Sequence, residues 1–264
     1  MRRVTGRDDI WGVGLSMSEA GDTQFEFFQF MAAYKANYVT SDGRLVIDDP
    51  EVRRKLAKAI DSFTMIYRKG CTPPASVAWR TIDNNKQFHA QAVVMTANES
   101  LSIPNALKHE RPEDYYENSE TIEWPLGPNS EAFALMGTFF AGAVFKDGGH
   151  FDRAKEFVHF LVSEGWLAHY LDFAGERFLP PMPKLLEQPF WLDPNDPHRM
   201  AAVMQIASRP RQYEYITVSG DWRYDLVWQE KVWGKAIHRI VTDGISFAQA
   251  VDEAIARIKQ ILSE

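Results

Sequence analysis

Short polar side chains follow one of the predicted strands, and their chemistry suits a ligand. Asn98, Glu99 and Ser100 come directly after the apolar run AVVMTA at residues 92–97, which we predict to be a buried strand. In α/β proteins, ligand groups are commonly found where strands end at the edge of a sheet. An ordinary turn explains the same residues equally well, so both interpretations stay open at this point.

Polar or aromatic side chains also lie just before two of the predicted helices. Ser18, Asp22 and Thr23 precede apolar residues that recur at helical spacing between 25 and 32, and each could cap that helix. For Asp22 and Thr23, capping is favoured over ligand contact. Trp222 lies just before an aromatic-rich helical stretch. Aromatic stripes at helical spacing are more often core, but a residue that precedes the stripe can line a cleft.

The sequence contains no recognisable catalytic arrangement. The seven His are scattered, and neither a zinc-binding HExxH motif, a GxSxG motif nor a P-loop is present. Cys71 is the only cysteine, so the chain has no intrachain disulfide and no cysteine-based metal site. We therefore predict no catalytic residue, no metal site and no cofactor.

Composition narrows the classes of partner. A net charge of -7 argues against nucleic-acid binding, which requires clustered Lys and Arg. Aromatic residues make up 13% of the chain and include eight Trp, whose rings can pack a core or stack on sugars. No apolar run approaches the roughly 18 residues of a membrane span. The basic N-terminus is interrupted by Asp8 and Asp9, so this sequence predicts no signal peptide.

The elements that would position these residues centre on the stretch from Trp124 to Pro181. It predicts a strand over Leu135–Phe145, a Gly-Gly turn, an amphipathic helix and a second helix that stops at Gly175. Arg177 follows in a loop that two prolines stiffen.

Helices flank this stretch on both sides. Asp49 as cap and Pro50 at the first position predict a helix that ends at Gly70. Residues 222–244 predict one long helix, and Ser246 caps a last one.

The order of these elements resembles the extracellular solute-binding proteins of family 1, the sugar-capturing components of ABC importers of the maltose-binding-protein type. The motifs that carry the resemblance are IWGVGL, DGRLVIDDPEVRRKLAKAID, FHAQAVVMTANESL and the stretch from Trp124 to Pro181. Each motif is loose, and their order and spacing across nearly the whole chain make the resemblance specific. One departure is Leu101, which stands where many members place a stacking Trp.

The resemblance implies an α/β fold with the two-lobe, periplasmic-binding-protein-like (type II) architecture. The N-terminal lobe is expected to be incomplete, because the chain begins where members of the family are already past their first lobe. Residues 1–120 would form an α/β portion of the C-terminal lobe, 121–181 would cross to the other lobe, and 182–264 would return as helices. The stretch 124–161 would then lack its usual sheet neighbours, which predicts an exposed edge or a rearranged, possibly swapped, assembly.

The resemblance also implies a ligand and a site. A sugar would be captured in an interlobe cleft without any reaction, and closure would follow from the higher affinity of the closed state. The expected partners are this sugar and the membrane permease of an ABC transporter, with no nucleic acid, and the expected location is the periplasm. The implied ligand-contact residues are Asp22, Thr23, Asn98, Ser100, Gly137, Thr138, Phe139, Arg177 and Trp222.

Two other functions compete with this one. A truncated scaffold or interaction protein that binds no sugar is one, because part of the first lobe is not in the sequence and a stacking residue is replaced. A glycoside hydrolase is the other, since a sugar cleft rich in aromatics and carboxylates would suit it. That chemistry needs two carboxylates a few ångströms apart, and no such pair stands out in the sequence.

Overall fold

The protein forms two compact units in a computed structural model that describes residues 6–137, 141–209, 211–212 and 219–263. Unit 1 comprises Met1–Ala97, Pro125–Gly137 and Arg209–Glu264. Unit 2 comprises Asn98–Trp124 and Thr138–Ser208. The chain thus changes unit after residues 97, 124, 137 and 208, and the correspondence of the predicted segments 1–120, 121–181 and 182–264 to lobes stays a prediction.

Unit 1 contains a parallel strand pair. Strand β1 (Trp11–Gly14) pairs with β2 (Val93–Thr96). A side chain at Gly14 would approach the Val93 methyl groups to 3.1 Å, so glycine permits the close contact between the strands. Val93 is buried, but Val94 and Met95 are exposed, so the prediction of a buried strand is only partly correct.

Helices form most of unit 1. The predicted helix start at Asp49 is confirmed, because its carboxylate accepts a 2.7 Å hydrogen bond from the Glu51 N–H. Lys69 and Gly70 follow that helix, and Gly70 takes the left-handed conformation typical of a C-terminal stop. A short 3-10 turn covers Pro74–Ala78. In the described part of this unit, the helices whose bounds are defined are α1 (Gly21–Ala33), α2 (Pro50–Arg68), α3 (Asp83–His89), α9 (Arg223–Gln229), α10 (Val232–Thr242) and α11 (Phe247–Ser263).

Trp233 lies at the centre of the core of unit 1. Its side chain is fully buried, and its ring packs against Phe27 and Tyr38 at centroid distances of 5.6 and 5.8 Å. The apolar faces of α1, α2, α10 and α11 close around it. This core holds the start of α1 in place.

The prediction of one long helix over 222–244 is wrong, because this stretch forms two helices, α9 and α10. Lys231 adopts a left-handed conformation between α9 and α10, which ends one helix and begins the next. The side-chain amide of Gln24 bridges the break, since it donates to the Trp228 carbonyl at 3.0 Å and accepts from the Trp233 N–H at 3.3 Å. Gln24 is buried in α1, far away in sequence.

The strand predicted over Leu135–Phe145 is also shorter than expected. Strand β3 covers Leu135–Met136 and pairs in parallel with β4 (Arg211–Gln212). The described residues 141–145 have no regular structure. The Gln29 side chain holds β3 to α1, because it accepts from the Met136 N–H at 3.1 Å and donates to the Met136 carbonyl at 3.2 Å.

Unit 2 is smaller and mainly helical. Its helices are α4 (Ser102–Glu110), α5 (Phe151–Leu161), α6 (Glu164–Phe173), α7 (Pro183–Leu186) and α8 (Arg199–Ser208), with a π turn at Asp114–Asn118. The predicted stop at Gly175 is confirmed by its left-handed conformation. A small core of Leu101, Trp191, Ala202 and Val203 holds the unit together.

Helix α5 has the predicted amphipathic pattern but not the expected burial. All of its residues are described, and none of them is buried. Phe157 is 60% exposed and Phe160 is 52% exposed. An apolar helical stripe normally faces a core, so this face of α5 differs from an ordinary surface helix.

Candidate functional site

In unit 1, a network of buried hydroxyl groups shapes the loop that leads from β1 to α1. The Thr23 hydroxyl donates to Ser16 Oγ at 2.8 Å, and the Ser18 hydroxyl donates to the Trp79 carbonyl at 2.6 Å. Ser16 and Ser18 contact each other at 3.1 Å, and the Ser16 N–H donates to the buried Glu26 carboxylate at 3.2 Å. These bonds fix the backbone that presents the first turn of α1.

Asp22 lies in that first turn and carries a strongly perturbed carboxyl group. Partial burial raises its pKa to about 6, and the charge of Asp83 adds to the effect, although a hydrogen bond with Thr81 opposes it. A half-buried carboxylate that lacks enough compensating donors favours the neutral form. A ligand hydroxyl that donates to this group would supply the missing hydrogen bond.

The structure also decides between capping and other roles for the residues around Asp22. Capping by Asp22 or Thr23 is wrong, because the helix begins at Gly21 and the N-cap position is Ala20. The Ser18 hydroxyl instead accepts from the Ala20 N–H at 3.0 Å. Thr23 is fully buried, and its hydroxyl is used within the network.

The other predicted contact residues of unit 1 lie at its surface. Trp222 is 65% exposed and occupies the N-cap position of α9. Gly137 is exposed after β3, and among the described residues no atom lies within 4 Å of where its side chain would begin. Thr138 and Phe139 lie outside the described residues.

In unit 2, the structure brings Asn98, Ser100 and Arg177 to one rim. The exposed Asn98 amide donates to the Ser100 carbonyl at 3.0 Å and to Ser102 Oγ at 2.7 Å. Leu101, which follows Ser100, donates its N–H to the Arg177 carbonyl at 2.9 Å. The loops before α4 and after α6 are therefore directly bonded. We call Asn98–Ser102 together with Ala174–Arg177 the α4 rim.

Arg177 is the exposed cation of this rim. Its guanidinium lies over the Phe178 ring, 5.2 Å from the ring centre. A guanidinium offers a planar set of five donors, which suits the oxygen atoms of a polyol. Leu101, where the resemblance led us to expect a stacking Trp, is buried in the core of unit 2 and offers no ring face.

Sequence reasoning missed a buried polar network next to the α4 rim. The Asp196 carboxylate accepts from the Tyr115 hydroxyl at 2.7 Å and from the N–H groups of His198 and Arg199 at 3.0 and 2.8 Å. The Arg199 guanidinium approaches Asp196 at 3.1 Å and Glu176 at 3.1 Å. The one sequence signal was an Asp three residues before the start of α8, in an Asp-Pro-His-Arg run.

Burial and hydrogen bonding shift the ionisation of this network. Burial alone would raise the pKa of Asp196, but the bonds from the Arg199 N–H, the Tyr115 hydroxyl and the His198 N–H outweigh it and hold the pKa below its usual value. Burial lowers the pKa of His198, although the Tyr115 carbonyl and Asp196 oppose the change. Asp196 is therefore kept ionised and His198 neutral at pH 7.

A depression of about 250 Å³ lies elsewhere in unit 2, between α6 and the segment 185–191. Its lining includes Leu171, Leu185 and Trp191, with Asp172 and Gln188 as polar members. None of the predicted ligand-contact residues lines it.

Two further searches of the described residues were negative. They contain no group of three His, Cys, Asp or Glu side chains placed to hold a metal ion. They also contain no helix with both the length and the apolar character that crossing a membrane requires.

Comparison with known proteins gives no match in sequence. No protein-family model matches the chain, and no curated protein sequence matches it significantly.

Comparison with solved structures does find relatives in fold. An ABC transporter solute-binding protein from Thermotoga lettingae TMO, bound with α-D-tagatose, is 12% identical with a TM-score of 0.65, over 97% of this chain and 60% of its own. Maltose-bound MalE3 of T. maritima is 18% identical with a TM-score of 0.67, over 98% of this chain and 63% of its own. A sugar transporter protein from Arthrobacter chlorophenolicus A6 with bound laminaribiose is 14% identical with a TM-score of 0.69, over 94% and 60%.

These likenesses confirm the fold that the sequence motifs implied. The chain spans about three fifths of the length of the solved proteins that it resembles. At these identities the likeness concerns fold, not ligand or residue roles. The chain therefore has the α/β, periplasmic-binding-protein-like (type II) fold of sugar-binding ABC solute-binding proteins.

Proposed function

We propose that this protein binds a sugar or oligosaccharide without catalysis, as part of the carbohydrate-capturing component of an ABC transporter. The observation that carries the proposal is the likeness in fold, over 94% or more of the chain, to three proteins whose structures hold tagatose, maltose or laminaribiose. The ligand class comes from those relatives, and the contact residues are those that the family resemblance implied.

The proposed contacts in unit 1 are Asp22, Gly137 and Trp222, whereas the fully buried Thr23 is proposed to act through the loop. Asp22 supplies a carboxylate that partial burial leaves short of donors, as its raised pKa indicates. Trp222 supplies an exposed ring face, on which the apolar face of a pyranose can stack. Gly137 leaves open space beside the backbone, and Thr23 supports the loop from its buried position.

The proposed contacts in unit 2 are Asn98, Ser100 and Arg177 of the α4 rim, together with Thr138 and Phe139. Asn98 and Arg177 are exposed and lie on loops that hydrogen bonds join. An amide and a guanidinium provide both donors and acceptors for sugar hydroxyls. Thr138 and Phe139 are proposed from the family resemblance alone.

Calorimetric titration with tagatose, maltose and laminaribiose at high protein concentration tests the proposal. We expect saturable heat with at least one of them. Heat with none of these sugars or of a wider oligosaccharide panel would favour the non-binding scaffold. Release of free sugar from an oligosaccharide in the same mixtures would favour the glycoside hydrolase.

Two substitutions test the proposed contacts without disturbing a core. Trp222→Ala should weaken binding because it removes an exposed ring, whereas Phe173→Ala, at a residue that is 86% exposed, should leave it unchanged. Gly137→Ala should also weaken binding, if the sugar approaches the backbone there, while leaving the free energy of unfolding within about 0.5 kcal/mol. Equal effects of Trp222→Ala and Phe173→Ala would contradict the assignment.

Delivery to a permease and a periplasmic location belong to the same proposal. Sugar-dependent stimulation of ATP hydrolysis by a reconstituted ABC permease would support delivery. Fractionation of cells that express the native gene would test the location. Recovery in the cytoplasmic fraction alone would contradict the periplasmic assignment.

A further inference from the structure

The loop that carries Arg177 has an unusual backbone. Gly175 and Glu176 both take left-handed conformations, with φ of 67° and 69°. Glycine adopts this conformation without strain, but a residue with a side chain does so at a cost in free energy. Left-handed residues of this kind persist where surrounding contacts fix them, and they are frequent at ligand-contact loops.

Glu176 is fixed by two cations. Its carboxylate oxygen Oε1 lies 2.6 Å from Lys108 Nζ and 3.1 Å from Arg199 Nη1. The Glu176 side chain is 13% exposed and that of Arg199 is 8% exposed, so the contacts are shielded from solvent. Asp196 and Asp193 approach the Arg199 guanidinium at 3.1 and 3.6 Å, which holds the cation in turn. We call Lys108, Glu176 and Arg199 the Glu176 clamp.

The clamp lies beside the bonds that join the two loops of the α4 rim. The Asn105 amide donates to the carbonyl groups of Ala174, at 3.3 Å, and Gly175. Leu101 donates its N–H to the Arg177 carbonyl at 2.9 Å. A side chain at Gly175 would meet the Asn105 amide at 2.5 Å, so this amide packs directly against the Gly175 backbone. The positions of Asn98–Ser100 and of Arg177 are thus set by one another.

We propose that Glu176 is a positioning residue that holds Arg177 and the Asn98–Ser100 loop in the geometry required for sugar binding. This inference rests on the proposed function. The carboxylate itself is enclosed by the clamp, so it acts through the loop and does not contact the ligand. Pairing with Lys108 and Arg199 also neutralises it, which leaves the adjacent Arg177 as the exposed charge of the rim.

A measurement without ligand tests the positioning directly. Hydrogen exchange of the Leu101 amide reports on its bond to the Arg177 carbonyl. Glu176→Gln keeps the size of the side chain and removes its charge. We expect this substitution to accelerate exchange by a larger factor at the Leu101 amide than at the amides of α8. Glu164→Gln is the matched control, because it removes an exposed ion pair with Lys184 in the same unit and should change neither.

The sugar affinity of the same variants tests the functional part. Glu176→Gln should weaken binding about tenfold, within the range of couplings measured between neighbours in one network. In an Arg177→Ala background the same substitution should have a smaller effect, because only the Asn98–Ser100 loop is left for Glu176 to position. Lys108→Met removes one of the two cations that contact Glu176, at a partly exposed position. It should also weaken sugar binding, but by less than Glu176→Gln.

The outcomes separate this inference from the proposed function. If wild type binds no sugar but Leu101 exchange rises selectively in Glu176→Gln, the proposed function fails and the loop assignment survives. Unchanged exchange and unchanged affinity in Glu176→Gln would overturn the inference. It would be overturned equally if exchange rose by the same factor at Leu101 and throughout unit 2, because that result signals a general loss of stability.

Discussion

Sugar affinity should depend on pH through the carboxyl group of Asp22. Its pKa is raised to about 6, chiefly by burial, so the group changes charge within an accessible pH range. An ionised carboxylate accepts hydrogen bonds from sugar hydroxyls with both oxygens, whereas the protonated form loses part of that capacity. We therefore expect tighter binding at pH 7 than at pH 5.

The size of the effect follows from the pKa. With a pKa of about 6, roughly one tenth of Asp22 is ionised at pH 5 and roughly nine tenths at pH 7. Apparent affinity scales with the fraction of protein in the binding-competent form. If only the carboxylate binds the sugar, the dissociation constant falls about tenfold between pH 5 and pH 7.

Calorimetric titration at pH 5, 6 and 7 and constant ionic strength measures this change. Asp22→Asn should bind more weakly at pH 7 and should lose the pH dependence. Asp152→Asn, at an exposed position in the first turn of α5, should keep the wild-type profile. Asp83→Asn should move the profile to lower pH, because the Asp83 charge helps to raise the pKa of Asp22.

Stability gives an independent check on the same group. The folded pKa of Asp22 lies above the unfolded value of about 3.9, so the folded state binds more protons between these values. The contribution of Asp22 to the free energy of unfolding therefore falls as pH rises from about 4 through about 6. Asp22→Asn should consequently stabilise the ligand-free protein at pH 7 and not at pH 4.

Two results would refute the reasoning about Asp22. An NMR titration of its carboxyl carbon with a midpoint near the ordinary value would show that burial does not raise the pKa. A pH-independent affinity in wild type, or an unchanged pH dependence in Asp22→Asn, would show that the group does not contact the sugar.

Three other predictions concern stability and surface. Trp233→Ala should lower the free energy of unfolding by about 3–5 kcal/mol in a urea titration, because the indole is fully buried, whereas Trp222→Ala should change it by less than about 0.5 kcal/mol. His198 has a lowered pKa, so its contribution to stability is complete above pH 6.5 and is lost as pH falls below that value. The melting temperature should therefore fall between pH 7.5 and pH 5, and it should fall less in His198→Gln. The exposed rings of Phe157 and Phe160 on α5 should favour self-association. Replacing both by Ser should reduce the binding of a hydrophobic dye and the self-association seen in light scattering, with little change in melting temperature. Unchanged self-association would contradict this role of the α5 face.

Local signals in the sequence were sufficient for several helix boundaries. Asp49 and Pro50 begin α2, and Gly70 and Gly175 take left-handed conformations where helices stop. These signals work because a cap or a glycine acts within one turn of its own helix. The order of elements was likewise enough to indicate the fold, which the solved structures confirm.

Site chemistry was less accessible from the sequence. Asp22 and Thr23 looked like caps, but the helix begins at Gly21 and buries Thr23 in a network with Ser16. The pKa of Asp22 is raised chiefly by burial, to which the charge of Asp83 on a different helix adds. Burial and charge at a given carboxyl are properties of packing, so no local pattern encodes them.

The sequence by itself determined several helix starts and stops, the apolar faces of helices, and the order of elements that indicates the fold. Only the tertiary structure decided that residues 222–244 break at Lys231, because the break is bridged by Gln24, 209 positions before Trp233. It also decided that Glu176 pairs with Lys108, 68 positions away. Propensity and capping act over a few residues, whereas these contacts join parts of the chain that meet only after folding.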